Sequence, residues 1–327
     1  MKDIYVADVG KFENQAVVAF FAVRSKQLRS RKDGGQYMAV TLGDRTGQIE
    51  SRMWENFAEA APGFETGDVV KVRAEVCRFN DRLQLNLEKL RRANADEFEL
   101  ADYVPQTSKD VNELWSSLVC SVDSFTDLWL QRLVRSFLED PLMATAFREA
   151  PAAKSLHHAW IGGLLEHVVS LVDICDLAAH HYPEINRDLL LTGAILHDIG
   201  KLEELRWGTT FDYTLEGQLV GHITLGVVMI EKKLATLPGF PPHLRMLVEH
   251  MVLSHHGKLE FGSPKLPMIP EAVLFHYLDD LDAKMHIMRG EFERHEAEGG
   301  EAGEMTDWVR SLDRPLLNTA TFLKPKE

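Results

Sequence analysis

The 327-residue chain contains no apolar run of 18 or more residues, and its N-terminus, Met1-Lys2-Asp3-Ile4-Tyr5, lacks the apolar core of a signal peptide. A membrane span needs about 20 apolar residues and a secretory leader needs an apolar core, so a soluble, cytoplasmic protein without a membrane partner is expected. Cysteine is scarce. Cys77, Cys120 and Cys175 are scattered, odd in number and lack CxxC spacing, which excludes a disulfide framework and a zinc knuckle. Positive charge is also outnumbered, with 36 Lys+Arg against 50 Asp+Glu and a net charge of −14. That balance argues against a protein coated along its whole length by nucleic acid. The deficit is unevenly placed: residues 1–95 carry 16 Lys+Arg and 13 Asp+Glu, a net +3, which leaves −17 for the rest. An acidic half can still engage a polyanion through a basic appendage.

Hydrophobic residues make up 45% and charged residues 26%, as in ordinary globular proteins, and the length suffices for two cores. Residues 1–95 read as short strands. Gln15–Arg24 is rich in Val, Ala and Phe, and Gln36–Leu42 alternates up to the turn Gly43-Asp44-Arg45-Thr46-Gly47. Gln48–Trp54 follows as a hairpin partner, then a helical turn over Glu55–Ala61 closed by Pro62-Gly63. Asp68–Cys77 and Leu83–Leu90 alternate again. Five strands with a helix between the third and fourth is the order of an OB-fold barrel. Such barrels bind single strands by stacking bases on aromatics in a basic groove. Tyr37, Trp54 and Phe79 are the stacking candidates, and Arg24, Lys26, Arg29, Arg31, Lys32, Arg52, Arg73 and Arg82 the phosphate candidates. The stretch from Arg24 to Lys32 reads as a basic loop between strands.

Residues 96–153 read as linker and leading helices, with Thr107 or Ser108 capping a helix through Val111–Ser121 and Pro141 opening another after Ser124–Leu138. Helices are expected over 155–182, 187–198, 217–236, 241–255 and 270–290, so residues 154–290 form an all-α bundle. Residues 291–327 are an acidic segment, Glu291–Glu304, and a tail. The apolar run Leu191–Leu196 ends in His197-Asp198-Ile199-Gly200-Lys201. A carboxylate after an apolar run is costly unless a cation meets it, and imidazole beside carboxylate suits a divalent metal of borderline hardness. His167, His222, His255, His256 and Asp279 also sit on or beside segments of helical apolar spacing, so the bundle can turn them into one pocket. Asp282, one turn past Asp279, is the competing choice for the last ligand. Lys201 is placed to meet a phosphate oxygen, and His157 or His158 to face substrate or donate a proton.

The order H…HD…H…HH…D resembles the HD superfamily of metal-dependent phosphohydrolases. That resemblance implies a minimal site of His167, His197, Asp198 and Asp279. It also implies that His222, His255 and His256 complete a longer, two-metal pattern bridged by Asp198. The barrel phrases Tyr37–Ile49 and Gly67–Ala74 resemble nucleic-acid-binding OB domains. The whole chain resembles the YhaM-type 3′-5′ exoribonucleases, through Lys154–His167, Glu216–Ile223, Ser254-His255-His256-Gly257 and Gly262-Ser263-Pro264. The resemblance implies an enzyme shortening single-stranded RNA, or DNA, to nucleoside 5′-monophosphates with manganese or cobalt. The donor set admits Mn²⁺, Co²⁺, Fe²⁺ or Zn²⁺, as one ion or two, and Mn²⁺ is the first choice. The alternatives are a nucleotide or cyclic-dinucleotide phosphohydrolase and a non-catalytic RNA-binding module. Gly257-Lys258-Leu259 after the paired histidines departs from the Gly-Tyr-Pro of cyclic-di-GMP hydrolases. A homo-oligomer is left open.

Overall fold

The computed structural model describes residues 2–31, 34–80, 82–154, 160–297, 299–301 and 303–324. The chain divides into two compact units, Met1–Ser108 with Arg206–Asp212, and Lys109–Leu205 with Tyr213–Glu327.

The first unit is a closed five-stranded barrel of β1 (Ala16–Ser30), β2 (Gln36–Asp44), β3 (Gly47–Met53), β4 (Val69–Phe79) and β5 (Arg82–Arg92), with a one-turn helix α1 (Phe57–Ala60) between β3 and β4. The strand order is β1-β2-β3-β5-β4. β3 and β5 close the barrel as a parallel pair. Alternation drives the fold: in β4, Val70, Val72, Ala74 and Val76 are buried while Arg73 and Glu75 are exposed. These residues join Phe21, Val23, Met38, Val40, Leu42 and Leu85 in one core.

The expected basic loop is not a loop. β1 continues through Arg24 to Ser30, pairing with β4 over Ala16–Ala22 and with β2 over Ala22–Ser30, with its register shifting between Val23 and Ser25. A strand that serves two neighbours in turn must outlast its apolar half, so its second half is polar yet fully laddered. Lys32 lies outside the described residues.

The second unit is helical: α2 (Val111–Asp123), α3 (Leu128–Leu138), α4 (Pro141–Glu149), α5 (Gly163–His181), α6 (Arg187–Leu196), α7 (Lys201–Glu204), α8 (Leu215–Val220), α9 (His222–Leu234), α10 (Pro242–Ser254), α11 (Pro270–Ala297) and α12 (Thr319–Phe322). Two-residue strands β6 (Leu205–Arg206) and β7 (Asp212–Tyr213) form a small hairpin. α2 is capped by Asp110, whose carboxylate accepts from the Asn112 and Glu113 amides, and not by Thr107 or Ser108. α5 and α6 pack together at the centre and α11 packs on both, while α9 and α10 pair beside them. Gly221, at φ 77°, splits the expected 217–236 helix and makes His222 the first residue of α9. α11 runs beyond residue 290 into the acidic segment. Among the described residues no helix is long and apolar enough to cross a membrane.

Candidate metal centre

The site is assembled from the ends of α6, α9 and α10 and from residues within α5 and α11. α6 ends at Leu196 with His197 as its cap residue, and the chain turns through Asp198. His167 lies in α5, His222 opens α9, His255 caps α10 and Asp279 lies in α11. His167, His197, Asp198 and His255 are each no more than 3% exposed.

Two groups of ligand-type atoms emerge, each within 4.8 Å of one another: His167, His197 and Asp279, and His222, His255 and His256. Asp198 stands between them. Its Oδ2 is 3.1 Å from His197 Nε2, whereas its Oδ1 is 3.4 Å from His222 Nε2 and 3.9 Å from His255 Nε2. Asp279 Oδ1 is 3.3 Å from His167 Nε2. Asp282 does not share that position. Its Oδ2 meets the other ring nitrogen, His167 Nδ1, at 3.0 Å, and its Oδ1 accepts from Ser170 Oγ at 2.7 Å.

Every histidine of the two groups has Nδ1 against an oxygen. His197 faces Ala194 O at 3.0 Å, His255 faces Val252 O at 2.7 Å and His256 faces Phe261 O at 2.9 Å. His167 faces Asp282, and His222 faces Glu204 Oε1 at 3.2 Å. A carbonyl or carboxylate oxygen can only accept, so Nδ1 carries a proton throughout, and Nε2 has the lone pair wherever the ring is neutral. The Nε2 atoms of His197, His222 and His255 are buried without a hydrogen-bond partner. Buried lone pairs converging on carboxylate oxygens are unfavourable by themselves, and a divalent cation relieves them. The residues present therefore fit a metal with nitrogen and oxygen ligands.

The electrostatics divide the histidines. Burial pushes His255 well below the usual imidazole range, with His197 adding to the effect, and burial also lowers His256. Both offer a lone pair without losing a proton. Burial acts the same way on His167, but its hydrogen bonds to Asp279 and Asp282 outweigh it and hold it at about 9. Burial opposes ionisation of Asp198, yet His197 and Lys201 beside it hold its carboxyl well below the ordinary range. Asp279 is likewise kept low against burial, chiefly by His167.

Lys201 Nζ is 2.6 Å from Asp198 Oδ2. His157 and His158 lie outside the described residues. A cavity of about 500 Å³ is lined by His167, Asp198, Lys201, His255, His256 and Asp279, together with Phe261 and His276. The sequence reading missed the last two. Phe261 is 55% exposed at this cavity, and His276 Nδ1 is 3.1 Å from His255 O. A single histidine in the apolar run before Asp279 was the only signal for His276, and Phe261 carried none.

On the barrel, Tyr37 stacks on Trp54 with ring centroids 4.7 Å apart. Arg52 lies over Phe79 at 4.8 Å and over both other rings at 5.8 Å, and Arg31 lies over Trp54 at 4.8 Å. Phe79 is half exposed, and Arg29 is exposed on β1. The structure does not bring Arg24, Lys26 or Arg73 to this patch. Arg24 donates to the Tyr103 and Thr209 carbonyls, and Lys26 to those of Ala61 and Phe64. Arg73 pairs with Glu88 in a separate cleft lined by Lys71, Lys89 and α1.

An OB-fold nucleic acid binding domain model matches residues 22–93, and an HD domain model matches residues 164–284. The 3'-5' exoribonuclease YhaM of Bacillus velezensis (strain DSM 23117 / BGSC 10A6 / LMG 26770 / FZB42) is 33% identical over 322 residues, 98% of this chain and 99% of its own length. The chain belongs to the YhaM 3'-5' exoribonuclease family. Its membership in the HD superfamily carries divalent-metal dependence with it, and the two histidine groups are where this YhaM relative could hold the ions. Solved structures also align with parts of the chain. The second OB-fold domain of replication protein A from Methanococcus maripaludis is 25% identical, covering 25% of this chain and 87% of its own, with a TM-score of 0.22. A replication protein A heterotrimer bound to ssDNA is 21% identical, covering 25% and 60%, with a TM-score of 0.21.

Proposed function

We propose that this chain is a manganese-using 3′-5′ exoribonuclease that removes nucleoside 5′-monophosphates from single-stranded RNA. The observation that carries the reading is the position of Asp198, one oxygen toward each of two histidine groups whose Nε2 lone pairs converge. His167, His197, Asp198 and Asp279 would hold one ion, and His222, His255, His256 and Asp198 a second. Bound there, the cations would supply an ionised water and offset the charge on the phosphoryl oxygens.

The rest falls to the protein's own side chains. Asp198 ties the two groups together and, buried beside the Lys201 ammonium, stays ionised. Lys201, 2.6 Å from that carboxylate, can turn its ammonium to a phosphate oxygen once a cation takes its place. A cavity of about 500 Å³ matches sites that take small-molecule ligands, roughly 300–1,000 Å³, and Phe261 gives the terminal base a face to stack on. In the reaction, water oxygen bonds to the terminal phosphorus, the bond to the preceding 3′ oxygen breaks, and that oxygen leaves with a proton. The patch of Tyr37, Trp54, Phe79, Arg31 and Arg52 would hold the strand by stacking and charge. Every base has a π-face, so such a patch fits the sequence-tolerant grip that successive removal requires.

The test is a 5′-labelled single-stranded RNA with Mn²⁺. A descending ladder is expected for the unaltered protein, while His197→Ala and Asp198→Asn leave the strand intact but still bind it. Cleavage by either variant at the unaltered rate would refute the assignment.

A further inference from the structure

Two carboxylates, buried Glu204 and half-buried Asp282, touch the ligand histidines without belonging to either ligand group. Asp282 faces Nδ1 of His167 from α11, and Glu204 faces Nδ1 of His222 from the end of α7. Each group therefore contains one histidine held by a carboxylate, while His197, His255 and His256 are held by backbone carbonyls. From this geometry we infer that Asp282 and Glu204 are positioning residues, one for each metal position, that fix the ring and tautomer of His167 and His222. The inference rests on the proposed ligand set and adds to it the residues that set its affinity.

Both carboxylates are themselves built in. Asp282 accepts from Ser170 Oγ with its second oxygen. Glu204 Oε1 takes the backbone amide of His222 at 2.9 Å as well as the ring, so one oxygen sets both the start of α9 and the imidazole. The Glu204 backbone is fixed in turn: its carbonyl accepts from the Thr214 amide at 2.9 Å, and a Cβ added at Gly217 would stand 2.2 Å from the same oxygen. A carbonyl also fixes the tautomer, but a carboxylate adds negative charge, which makes the opposite nitrogen a stronger donor to a cation. Free rotation of either ring would lose both effects.

Manganese binding, followed by the electron paramagnetic resonance of the free ion, measures the claim without turnover. His167→Ala and His222→Ala set the scale for losing a ligand. Asp282→Ala and Glu204→Ala are expected to weaken Mn²⁺ binding by about 10–100-fold. Asp282→Asn and Glu204→Gln, which keep an acceptor but not the charge, should fall in between. A packing role alone would lower the metal-free melting temperature and leave the manganese constant unchanged. If the histidine variants lose manganese while the carboxylate variants bind within twofold of the unaltered protein, the inference is overturned and the ligand set stands. If the histidine variants bind normally, the ligand set itself fails and takes the inference with it. Should an alanine variant not fold, its amide counterpart decides: weakened binding supports the role, and unchanged binding overturns it.

Discussion

Replacing Gly200 by alanine tests whether the backbone beside the His-Asp pair is packed as tightly as the structure indicates. Gly200 has φ −65°, a conformation open to any residue, so glycine is required there by space alone. A Cβ at this position would lie 1.9 Å from the His222 carbonyl oxygen and 2.5 Å from the Gly226 amide nitrogen. Real Cβ atoms essentially never come within 3.0 Å, so α9 must withdraw by the difference, about 1.1 Å or more. Both obstacles are backbone, and no rotamer change relieves them. Overpacking costs about 1–3 kcal/mol, and this case belongs at the upper end. The entropy gained by losing a glycine, about 0.4–1 kcal/mol, does not offset it. For a unit of this size a loss of about 3 kcal/mol lowers the melting temperature by roughly 6–12 °C. His222 opens α9, with Nε2 3.4 Å from Asp198 Oδ1, so the withdrawal also pulls it from the site. A misplacement of about 1 Å can reduce turnover about 100-fold. Gly193→Ala is the control, because its Cβ meets the flexible end of Met251 at 2.4 Å, and side-chain motion can absorb it. Melting curves and manganese-dependent degradation of labelled RNA give the readouts. Gly200→Ala that melts and cleaves like the unaltered protein would refute the reasoning.

Trp54→Ala and Tyr37→Ala are each expected to weaken single-strand binding by about 1–3 kcal/mol, one stacked base apiece, with manganese binding intact; unchanged strand affinity in a filter or anisotropy assay would move the binding face elsewhere. In the metal-free protein, His167 is held near 9 against about 6.5 for a free imidazole, so the folded state binds the extra proton. Its contribution, on the order of 3 kcal/mol, is fully present below about pH 6.5 and is lost as pH rises through 9. The melting temperature of chelator-treated protein should therefore fall more steeply between those limits than that of His167→Gln, and parallel curves would contradict this.

Much of the barrel was legible because its period is simple: Val70, Val72, Ala74 and Val76 announce a strand with one buried face. The second half of β1 was misread because a strand that leaves the core and pairs on with β2 alone keeps no apolar alternation, and a run of basic residues then looks like a loop. The same residues show why charge alone does not define an interface, since Arg24 and Lys26 turn inward to backbone carbonyls. The candidate metal site was legible from cost: His197-Asp198 closing an apolar run demands a partner. Asp279 and Asp282, three apart on one helix, could not be ranked from spacing, because they differ only in which nitrogen of His167 each meets. Glu204 was invisible for a related reason, since its partner stands 18 residues away across a hairpin. The α2 cap was missed because Thr107, Ser108 and Asp110 all have the right chemistry, and only the backbone selects Asp110.

The most direct measurement is anomalous scattering at the manganese edge from crystals of the full chain soaked in Mn²⁺. The account predicts peaks at this one site: one ion against Nε2 of His167 and His197 and a carboxylate oxygen of Asp279, and a second, where present, about 3.5–4 Å away against His222, His255 and His256, with Asp198 touching both. A saturated crystal with manganese bound elsewhere and none touching His197, Asp198 or Asp279 would contradict it.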